Sequence, residues 1–256
     1  MDGQQVEAYL ARIGAARPDR PDEAALRALQ AAHLAAVPFE NLSVAFGEPI
    51  ELTEQALWEK LVTRRRGGFC YELNGAFGAL LGALGYRVEL LSARVLDGER
   101  AGPPFDHLAL RVELDGPRLV DVGFGRFSRG PLRLDTGAPQ QDPGGVFTVT
   151  EHGRDLEVAM DGAPQYRLDR RPYELADFAP TCWWQATSPD SHFTRSTTCS
   201  RPDGDGRVTL AGTRLVTTAA DGTRTERELT GAQALEAYRE LFGITLERLP
   251  PSAPAR

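Results

Sequence analysis

The spacing of the apolar residues changes at about residue 86, and this change constrains the fold more than any other feature of the sequence. Before it, apolar residues recur every three or four positions, as they do on one face of a helix. After it, short alternating runs separated by Gly and Asp turns are typical of strands. We therefore predict an α+β fold with an N-terminal helical bundle over residues 1–86, a central β-barrel-like domain over 87–190 and a C-terminal α/β lid over 191–256.

Three helices are predicted in the first part, at 22–36, 53–62 and 70–84. Pro38 ends the first pattern, Thr53 can cap the second, and Gly85 supplies a C-terminal cap for the third. The first part is therefore predicted to be helical throughout.

Strand-like runs are predicted at 87–96, 107–114, 118–122, 146–150, 155–160, 164–168, 207–217 and 223–229. Asp115-Gly116 and Asp221-Gly222 are hairpin signals, and Asp203-Gly204-Asp205-Gly206 is a turn signal. A capped helix is predicted over 231–242, and the tail at 250–256 is expected to fray.

The composition is that of an ordinary globular protein, with 41% hydrophobic and 25% charged residues among 256. A formal net charge of −7 disfavours binding to nucleic acids and to anionic membranes, so neither is expected as a partner. The dense basic run Arg64-Arg65-Arg66 is interpreted as a solvated helix end, where cations interact favourably with the macrodipole.

Two features of the sequence favour a cytoplasmic location. The segment Met1–Gln5 lacks the parts of a signal peptide, and no apolar run approaches the roughly 20 residues that span a bilayer. The three cysteines, at 70, 182 and 199, are an odd set without CxxC spacing. Neither a disulfide framework nor a metal site is therefore expected.

Cys70 follows the segment Arg66-Gly67-Gly68-Phe69 and lies in the first turn of the third predicted helix. The free N–H groups and the positive dipole end there stabilise a thiolate, and the same N–H groups could receive an oxyanion. A buried, inert thiol is the competing interpretation, since cysteine is among the most buried residue types. The preceding glycines allow close backbone approach and favour a nucleophile.

A thiol nucleophile needs a base, and His107 begins a strand-like run in which a rigid sheet could orient its side chain. His33 lies in a helical pattern, His152 in a turn and His192 in a loop, so packing or solvent exposure explains each of them. His107 is therefore the predicted base.

Asp121 ends the strand that follows, so it would lie beside His107 if Asp115-Gly116 forms the hairpin, and it could orient the imidazole. Asp106 and Asp115 are rivals for this role. Asp106, however, would point to the opposite sheet face from its neighbour His107, and Asp115 belongs to the turn. We therefore predict a triad of Cys70, His107 and Asp121.

These segments resemble the arylamine N-acetyltransferase family, whose RGGxCxxxN pattern matches Arg66, Gly67, Gly68, Cys70 and Asn74. Further likenesses follow in the family's order over roughly residues 1–195: Pro38–Asn41 to its PFEN segment, Asp106–Leu110 to its histidine strand, Asp121–Gly125 to its DVGFG segment and Thr187–Phe193 to its TxPxSxF segment. Cys182-Trp183-Trp184 departs from the more usual asparagine and tyrosine around a central aromatic residue.

The resemblance implies transfer of an acetyl or other short acyl group from acyl-CoA to an arylamine, hydrazine or related amine, by a ping-pong mechanism through acyl-Cys70. It implies a core like that of cysteine proteases, with acetyl-CoA as co-substrate, no metal and no permanently bound cofactor. It further implies a substrate pocket with Phe39, Val95, Phe124 and Phe193 in its wall, where Gly123 and Gly125 let ligand approach the backbone. Ordinary core or turn packing is the competing interpretation of these positions.

Three other functions stay open at this stage. Related enzymes of bacterial biosynthesis close polyketide amides and take the chain from an acyl carrier protein, which would then be a partner. A cysteine hydrolase or protease uses the same order of Cys, His and Asp. A binding protein could retain the fold without the reaction. The acyl-chain preference, the physiological amine and the oligomeric state are left open by the sequence.

Overall fold

The computed structural model describes residues 1–251, so the predicted fraying of the tail lies, from residue 252 onward, outside the described residues. Its α-helices are α1 Gly3–Ile13, α2 Glu23–Ala36, α3 Leu42–Phe46, α4 Glu54–Trp58, α5 Cys70–Ala83, α6 Ala179–Thr187 and α7 Gly231–Phe242. No helix within these residues has the length and apolar composition needed to cross a membrane.

The strands form two separate sheets. Their bounds are β1 Phe39–Glu40, β2 Arg87–Asp97, β3 Arg100–Ala101, β4 His107–Leu114, β5 Gly116–Val120, β6 Leu132–Arg133, β7 Gln140–Asp142, β8 Gly145–His152, β9 Asp155–Met160, β10 Ala163–Tyr173, β11 Cys199–Asp203, β12 Gly206–Ala211, β13 Arg214–Thr218 and β14 Arg224–Glu228.

The N-terminal part contains a helix that the sequence analysis did not identify. Asp2 caps α1 by accepting the N–H of Gln5, and the amide oxygen of Gln5 accepts the N–H of Asp2 in return. Tyr9 and Leu10 on its inner face are buried. Helices α2 and α5 follow the predicted patterns, because their apolar residues pack against α1 and against the sheet behind them.

The prediction that residues 1–86 are helical throughout is wrong at β1. After Pro38 the chain is extended as β1, which pairs with β11 from the far end of the sequence. The second predicted helix, 53–62, is α-helical only in α4 and continues as a π-helical turn over Glu59–Thr63. A two-residue strand has no periodicity of its own, so only its distant partner identifies it.

The larger sheet has nine strands in the order β6-β5-β4-β2-β10-β9-β8-β7, with β3 added to β2. Its two end strands come together, because the Gln140 side chain accepts the N–H of Arg133 at 2.7 Å and donates to the Arg133 carbonyl at 2.9 Å. The sheet is therefore barrel-like and nearly closed. Its interior is filled by a second buried cluster, which includes Phe147, Tyr166 and Leu168.

The smaller sheet has the order β1-β11-β12-β13-β14 and packs against α7. The single strand predicted at 207–217 is wrong, because Gly212, at φ +61°, turns the chain and separates β12 from β13. The hairpin at Asp221-Gly222 forms as predicted, between β13 and β14. Helix α6, ahead of this sheet, is a further element that the sequence analysis did not identify.

Helix α5 lies directly on the barrel, and this packing determines where the site forms. Buried side chains of α5, including Phe77 and Leu81, share a cluster with Leu108 and Leu110 of β4. A third cluster joins α7 to the smaller sheet. The chain is therefore a mixed helix-and-sheet protein around a barrel-like sheet, whereas the domain boundaries at residues 86 and 190 stay a prediction.

Candidate active site

Cys70 is the first residue of α5, and the start of this helix is held by a buried ion pair. The Glu72 carboxylate accepts the N–H of Phe69 at 3.2 Å, and its other oxygen accepts from the Lys60 ammonium at 2.5 Å. Both charged side chains are buried. Because Glu72 is in turn bound by Lys60, the peptide just before Cys70 has little freedom to move.

The residues before Cys70 pack tightly against β1. A Cβ atom at Gly67 would lie 2.0 Å from the Pro38 carbonyl oxygen, so only glycine fits there. The Glu40 N–H donates to the Gly68 carbonyl at 2.9 Å, and the buried Arg66 guanidinium donates to the Glu40 carboxylate at 2.9 Å. The interpretation of the arginine run as a solvated helix end is therefore wrong for Arg66, whose charge is needed to pair with Glu40.

His107 and Asp121 lie side by side because β4 and β5 form the predicted hairpin. The Nε2 atom of His107 lies 2.7 Å from Oδ2 of Asp121. The Asp121 carboxylate also accepts from the Asn74 amide at 2.9 Å, the Gly123 N–H at 2.9 Å and the Tyr166 hydroxyl at 3.2 Å. Four donors thus fix this buried carboxylate, and the carboxylate fixes one nitrogen of the imidazole.

The His107 side chain and the Leu108 backbone lie close enough to the Cys70 thiol to lower its pKa. Burial raises the pKa of the thiol, and His107 opposes this rise. For His107, burial lowers the pKa but the charge and hydrogen bond of Asp121 raise it, and the balance is a pKa of about 10. His107 therefore presents a positive charge to the sulfur at neutral pH, which favours the thiolate.

Of the rival residues of the sequence analysis, Asp115, His33 and His152 lie elsewhere, whereas Asp106 and His192 line one cavity with Cys70 and His107. Asp115 is in the β4–β5 turn, and the Asp106 carboxylate accepts from Gln185 rather than from His107. His33 is buried in the helical part, where burial lowers its pKa to about 3, and His152 is exposed beside Glu157.

A cavity of about 550 Å³ opens at Cys70 and His107. Of the predicted pocket residues, its wall includes Phe39, Val95, Gly123, Phe124 and Phe193. Gly125 lies outside this wall, and its carbonyl accepts from Arg207 at 2.5 Å. A somewhat larger cavity, of about 660 Å³, is lined by barrel residues that include Leu91 and Arg111, and none of the predicted site residues lines it.

Among the wall residues that the sequence analysis did not assign to the site are His192, Trp184 and Gln185. The position of His192 inside the TxPxSxF-like segment, one residue before Phe193, was the available signal. In the unusual Cys182-Trp183-Trp184 sequence, Cys182 is buried in the core of the helical part, whereas Trp183 and Trp184 are 68% and 37% exposed. The departure from the family pattern thus places Trp184 at the cavity, in the position where tyrosine is more usual.

Gly123 brings the loop after β5 against the start of α5. A Cβ atom on it would lie 2.7 Å from Cα of Cys70 and 2.8 Å from Nδ2 of Asn74. The close approach that glycine permits here is therefore between two parts of the protein, in addition to any approach by a ligand.

We expect Gly123→Ala to lower kcat/KM for acetyl transfer by about 100-fold, because the added methyl group displaces Cys70 or the loop. It should also lower the free energy of unfolding by about 2 kcal/mol through overpacking. Gly82→Ala is the matched control, since Gly82 lies on an exposed part of α5 with open space around it. This control should raise stability by about 0.5 kcal/mol. Equal activities of the two variants in a steady-state assay would contradict the prediction.

Within residues 1–251, no group of three or more His, Cys, Asp or Glu side chains is placed to hold a metal ion. The three cysteines are free and buried.

Comparison with known proteins gives one consistent result. A family model described as N-acetyltransferase matches residues 22–249. The arylamine N-acetyltransferase of Mycolicibacterium smegmatis is 38% identical over 250 residues, which cover 93% of this chain and 91% of that protein. The chain belongs to the arylamine N-acetyltransferase family. The Escherichia coli arylamine N-acetyltransferase is 34% identical over 249 residues, with 93% of this chain and 88% of that protein covered.

Solved structures of the arylamine N-acetyltransferase family have the same fold. The M. smegmatis enzyme has a TM-score of 0.88 at 38% identity and covers 96% of this chain and 93% of its own. The Mycobacterium marinum enzyme, solved in complex with CoA, has a TM-score of 0.85 at 34% identity, with 93% and 92% covered. The predicted family is thereby confirmed, and the chain is an enzyme of the arylamine N-acetyltransferase type.

Proposed function

We propose that this enzyme transfers an acetyl or other short acyl group from acyl-CoA to the nitrogen of an arylamine, hydrazine or related amine through an acyl-Cys70 intermediate. The observation that carries the proposal is the cavity that Cys70 and His107 line together, with Oδ2 of Asp121 2.7 Å from the Nε2 atom of His107. Acyl-CoA is the co-substrate in this proposal, consistent with the CoA complex of the M. marinum relative.

In the first half-reaction, the Cys70 thiolate attacks the thioester carbonyl and forms a new C–S bond. The N–H groups of Cys70 and Tyr71 precede the first hydrogen bond of α5, which Glu72 donates to the Phe69 carbonyl, so they can bind the oxyanion that develops. The bond to CoA sulfur then breaks, and His107 gives its proton to the departing thiolate. The products of this step are free CoA and acyl-Cys70.

In the second half-reaction, the amine nitrogen attacks acyl-Cys70 and loses its proton to His107. The C–S bond breaks, Cys70 leaves as the thiolate, and the amide is released. Asp121 stabilises the charged imidazole in both steps and is itself held by four donors. The triad therefore returns to its starting protonation state after each turnover.

The aromatic side chains of the cavity suit the acceptor. Phe39 and Phe193 have ring centroids 6.3 Å apart, and Phe124 lies edge-on to His107 at 5.1 Å. Apolar rings around the reactive sulfur favour an aromatic amine over a free aliphatic one by burial and ring packing. We assign the acceptor contacts to these three rings and to Val95.

The proposal extends to the architecture around the site and to the location of the enzyme. The Cys, His and Asp arrangement, with its nucleophile at a helix start, corresponds to a core of the cysteine-protease type, and the part after residue 190 would act as the lid. A cytoplasmic location fits three free thiols, which a reducing compartment preserves.

The acyl-Cys70 intermediate can be tested by running the two half-reactions separately. Incubation with acetyl-CoA and no amine is expected to release CoA in a burst equal to the enzyme present and to leave one acetyl group on Cys70, mapped by mass spectrometry. Addition of an arylamine should then discharge the acetyl group and form the amide. Transfer that requires both substrates together, or an acetyl group on another residue, would refute the intermediate. Steady acetate release without amine would identify a hydrolase, and loading only from an acyl carrier protein would identify an amide synthase.

A further inference from the structure

Three acidic side chains line the cavity, and of these Asp106 alone is half-buried; the proposed reaction does not use it. We propose that Asp106 makes the enzyme select aromatic amines that carry a second, cationic group in addition to the nitrogen that is acylated. This inference rests on the proposed function and names the acceptor class of the same cavity.

Asp106 is held rigidly at the cavity wall. Its carbonyl accepts from the Tyr71 hydroxyl at 3.1 Å, and its Oδ1 accepts from the Gln185 amide at 2.5 Å. A Cβ atom at Gly102 would lie 2.0 Å from Oδ2, so the carboxylate fills the space that a side chain would need there. Gly102 and Gln185 line the same cavity as Cys70.

Gln185 is itself fixed, which determines the orientation of the carboxylate. The Ser191 hydroxyl donates to Oε1 of Gln185 at 2.7 Å, so its amide NH₂ must face Asp106. Gln185 and Ser191 are both buried. The amide partner is neutral, and within residues 1–251 neither a lysine nor an arginine forms an ion pair with Asp106. The Asp106 carboxylate is therefore hydrogen-bonded but, in the described part of the chain, has no lysine or arginine partner, while the nearby His107 imidazole forms its ion pair with Asp121.

The other charges of the cavity are weaker competitors. Asp97, Asp190, Arg100 and Arg195 also line it, but all four are exposed, so water and salt screen them. Burial lowers the pKa of His192, which is therefore neutral at neutral pH.

Asp106 differs from these groups because it is half-buried. Burial raises its pKa, whereas the charge of His107 and hydrogen bonds from Val95 and Gln185 oppose the rise. A ligand cation beside Asp106 would lower the free-energy cost of keeping its half-buried carboxylate charged, and a ligand carboxylate would raise that cost.

The position of Asp106 relative to the rings defines the ligand. Asp106 directly precedes His107, while Phe124, Phe193 and Trp184 line the same cavity. An aromatic ring held by these side chains can present one amine to Cys70 and a charged substituent to the carboxylate. The expected acceptor is an arylamine with a protonated aminoalkyl substituent, and an arylamine with a carboxylate substituent is disfavoured.

Three acceptors of similar shape test this inference: para-aminobenzylamine, para-toluidine and para-aminobenzoate, which carry a positive, neutral and negative substituent. The wild-type enzyme, with acetyl-CoA as donor, is expected to have the lowest KM for the first and the highest for the third. Asp106→Asn should raise KM for para-aminobenzylamine about tenfold, since a charge-assisted hydrogen bond becomes a neutral one. It should change KM for para-toluidine less than about twofold and lower KM for para-aminobenzoate.

The asparagine variant retains the shape of the wall and an amide or carbonyl contact to Gln185. Asp19→Asn is the control for net charge, because Asp19 is an exposed carboxylate remote from the cavity in sequence, and it should leave the order of the three KM values unchanged. A parallel change of all three KM values in Asp106→Asn would overturn the inference. The CoA burst without amine tests the proposed function separately: its loss in the wild-type enzyme refutes the acyl-enzyme, whereas its presence with equal KM values refutes only the role of Asp106.

Discussion

Replacing Cys70 with serine is expected to lower kcat/KM for acetyl transfer by about four orders of magnitude or more, because the variant would lose the nucleophile that we propose for a coupled triad. A serine hydroxyl has a far higher pKa than a thiol, and the charge of His107 cannot ionise it at neutral pH. Steady-state rates with acetyl-CoA and an arylamine measure the loss. Mass spectrometry of the variant with acetyl-CoA alone should show no acetyl adduct.

Cys182→Ala is the matched control for the loss of a buried thiol. Cys182 is 2% exposed and Cys70 is 4% exposed, and both belong to the core cluster of the helical part. Cys182 does not line the cavity, so its variant should retain the acetyl adduct on Cys70 and lose only about 1 kcal/mol of stability. An adduct on Cys182 in the wild-type enzyme, or full turnover by Cys70→Ser, would show that the nucleophile is wrongly assigned.

Asp121→Asn should lower kcat/KM by about three to four orders of magnitude, with a much smaller loss of acetyl-CoA binding. The wild-type carboxylate accepts from His107, Asn74, Gly123 and Tyr166 at once. An amide places an NH₂ group against one of these donors, so that either the imidazole loses its partner or the loop after β5 shifts. The free energy of unfolding should fall by about 2 kcal/mol as well.

The pH dependence of Cys70 alkylation separates an electrostatic role of Asp121 from a purely structural one. Burial lowers the pKa of His107, but Asp121 and, to a smaller extent, Cys70 raise it, and the balance is a pKa of about 10 instead of 6.5. The charged His107 imidazole stabilises the folded protein. This contribution to the free energy of unfolding is complete below pH 6.5 and is lost as the pH rises through about 10. In the asparagine variant the imidazole becomes neutral at lower pH, so alkylation by iodoacetamide at neutral pH should slow and its pH profile should move upward.

Asp115→Asn provides the comparison for this experiment, because Asp115 is the exposed turn residue between the same two strands. It should retain the alkylation profile and the activity of the wild-type enzyme. An unchanged alkylation profile in Asp121→Asn would show that Asp121 does not control the charge of His107.

The parts of the site that the sequence predicted are those set by local rules. Asp115-Gly116 specifies a hairpin, and a hairpin fixes which residues of its two strands are neighbours. His107 and Asp121 therefore come together without any information from distant parts of the chain. The start of α5 was predictable for the same reason, since glycines before and an apolar helical pattern after it lie within a few residues of Cys70.

The parts that the sequence did not predict depend on distant partners. Strand β1 exists because β11 pairs with it, and Arg66 is buried because Glu40 is there to bind it. The contact between Gln185 and Asp106 joins residues 79 positions apart. Local spacing contains no information about such pairs. The helix after Phe178 and the part of the cavity wall that contains Gln185 could therefore not be predicted from it.

The extended segment around β1 has a consequence for how the enzyme is made. The Asn41 side chain donates to the carbonyls of Phe193 and Ser196 and accepts the N–H of Thr198, which lies 157 positions further along the chain. Closing so long a loop is slow, and the contacts that it brings together stabilise the fold only after the later residues have been synthesised. During synthesis the helix that carries Cys70 can form early, but the wall that contains Phe193 can dock only after the ribosome has delivered it. The growing chain would therefore carry the proposed nucleophile without an enclosed cavity, and catalytic activity should appear among the last events of folding.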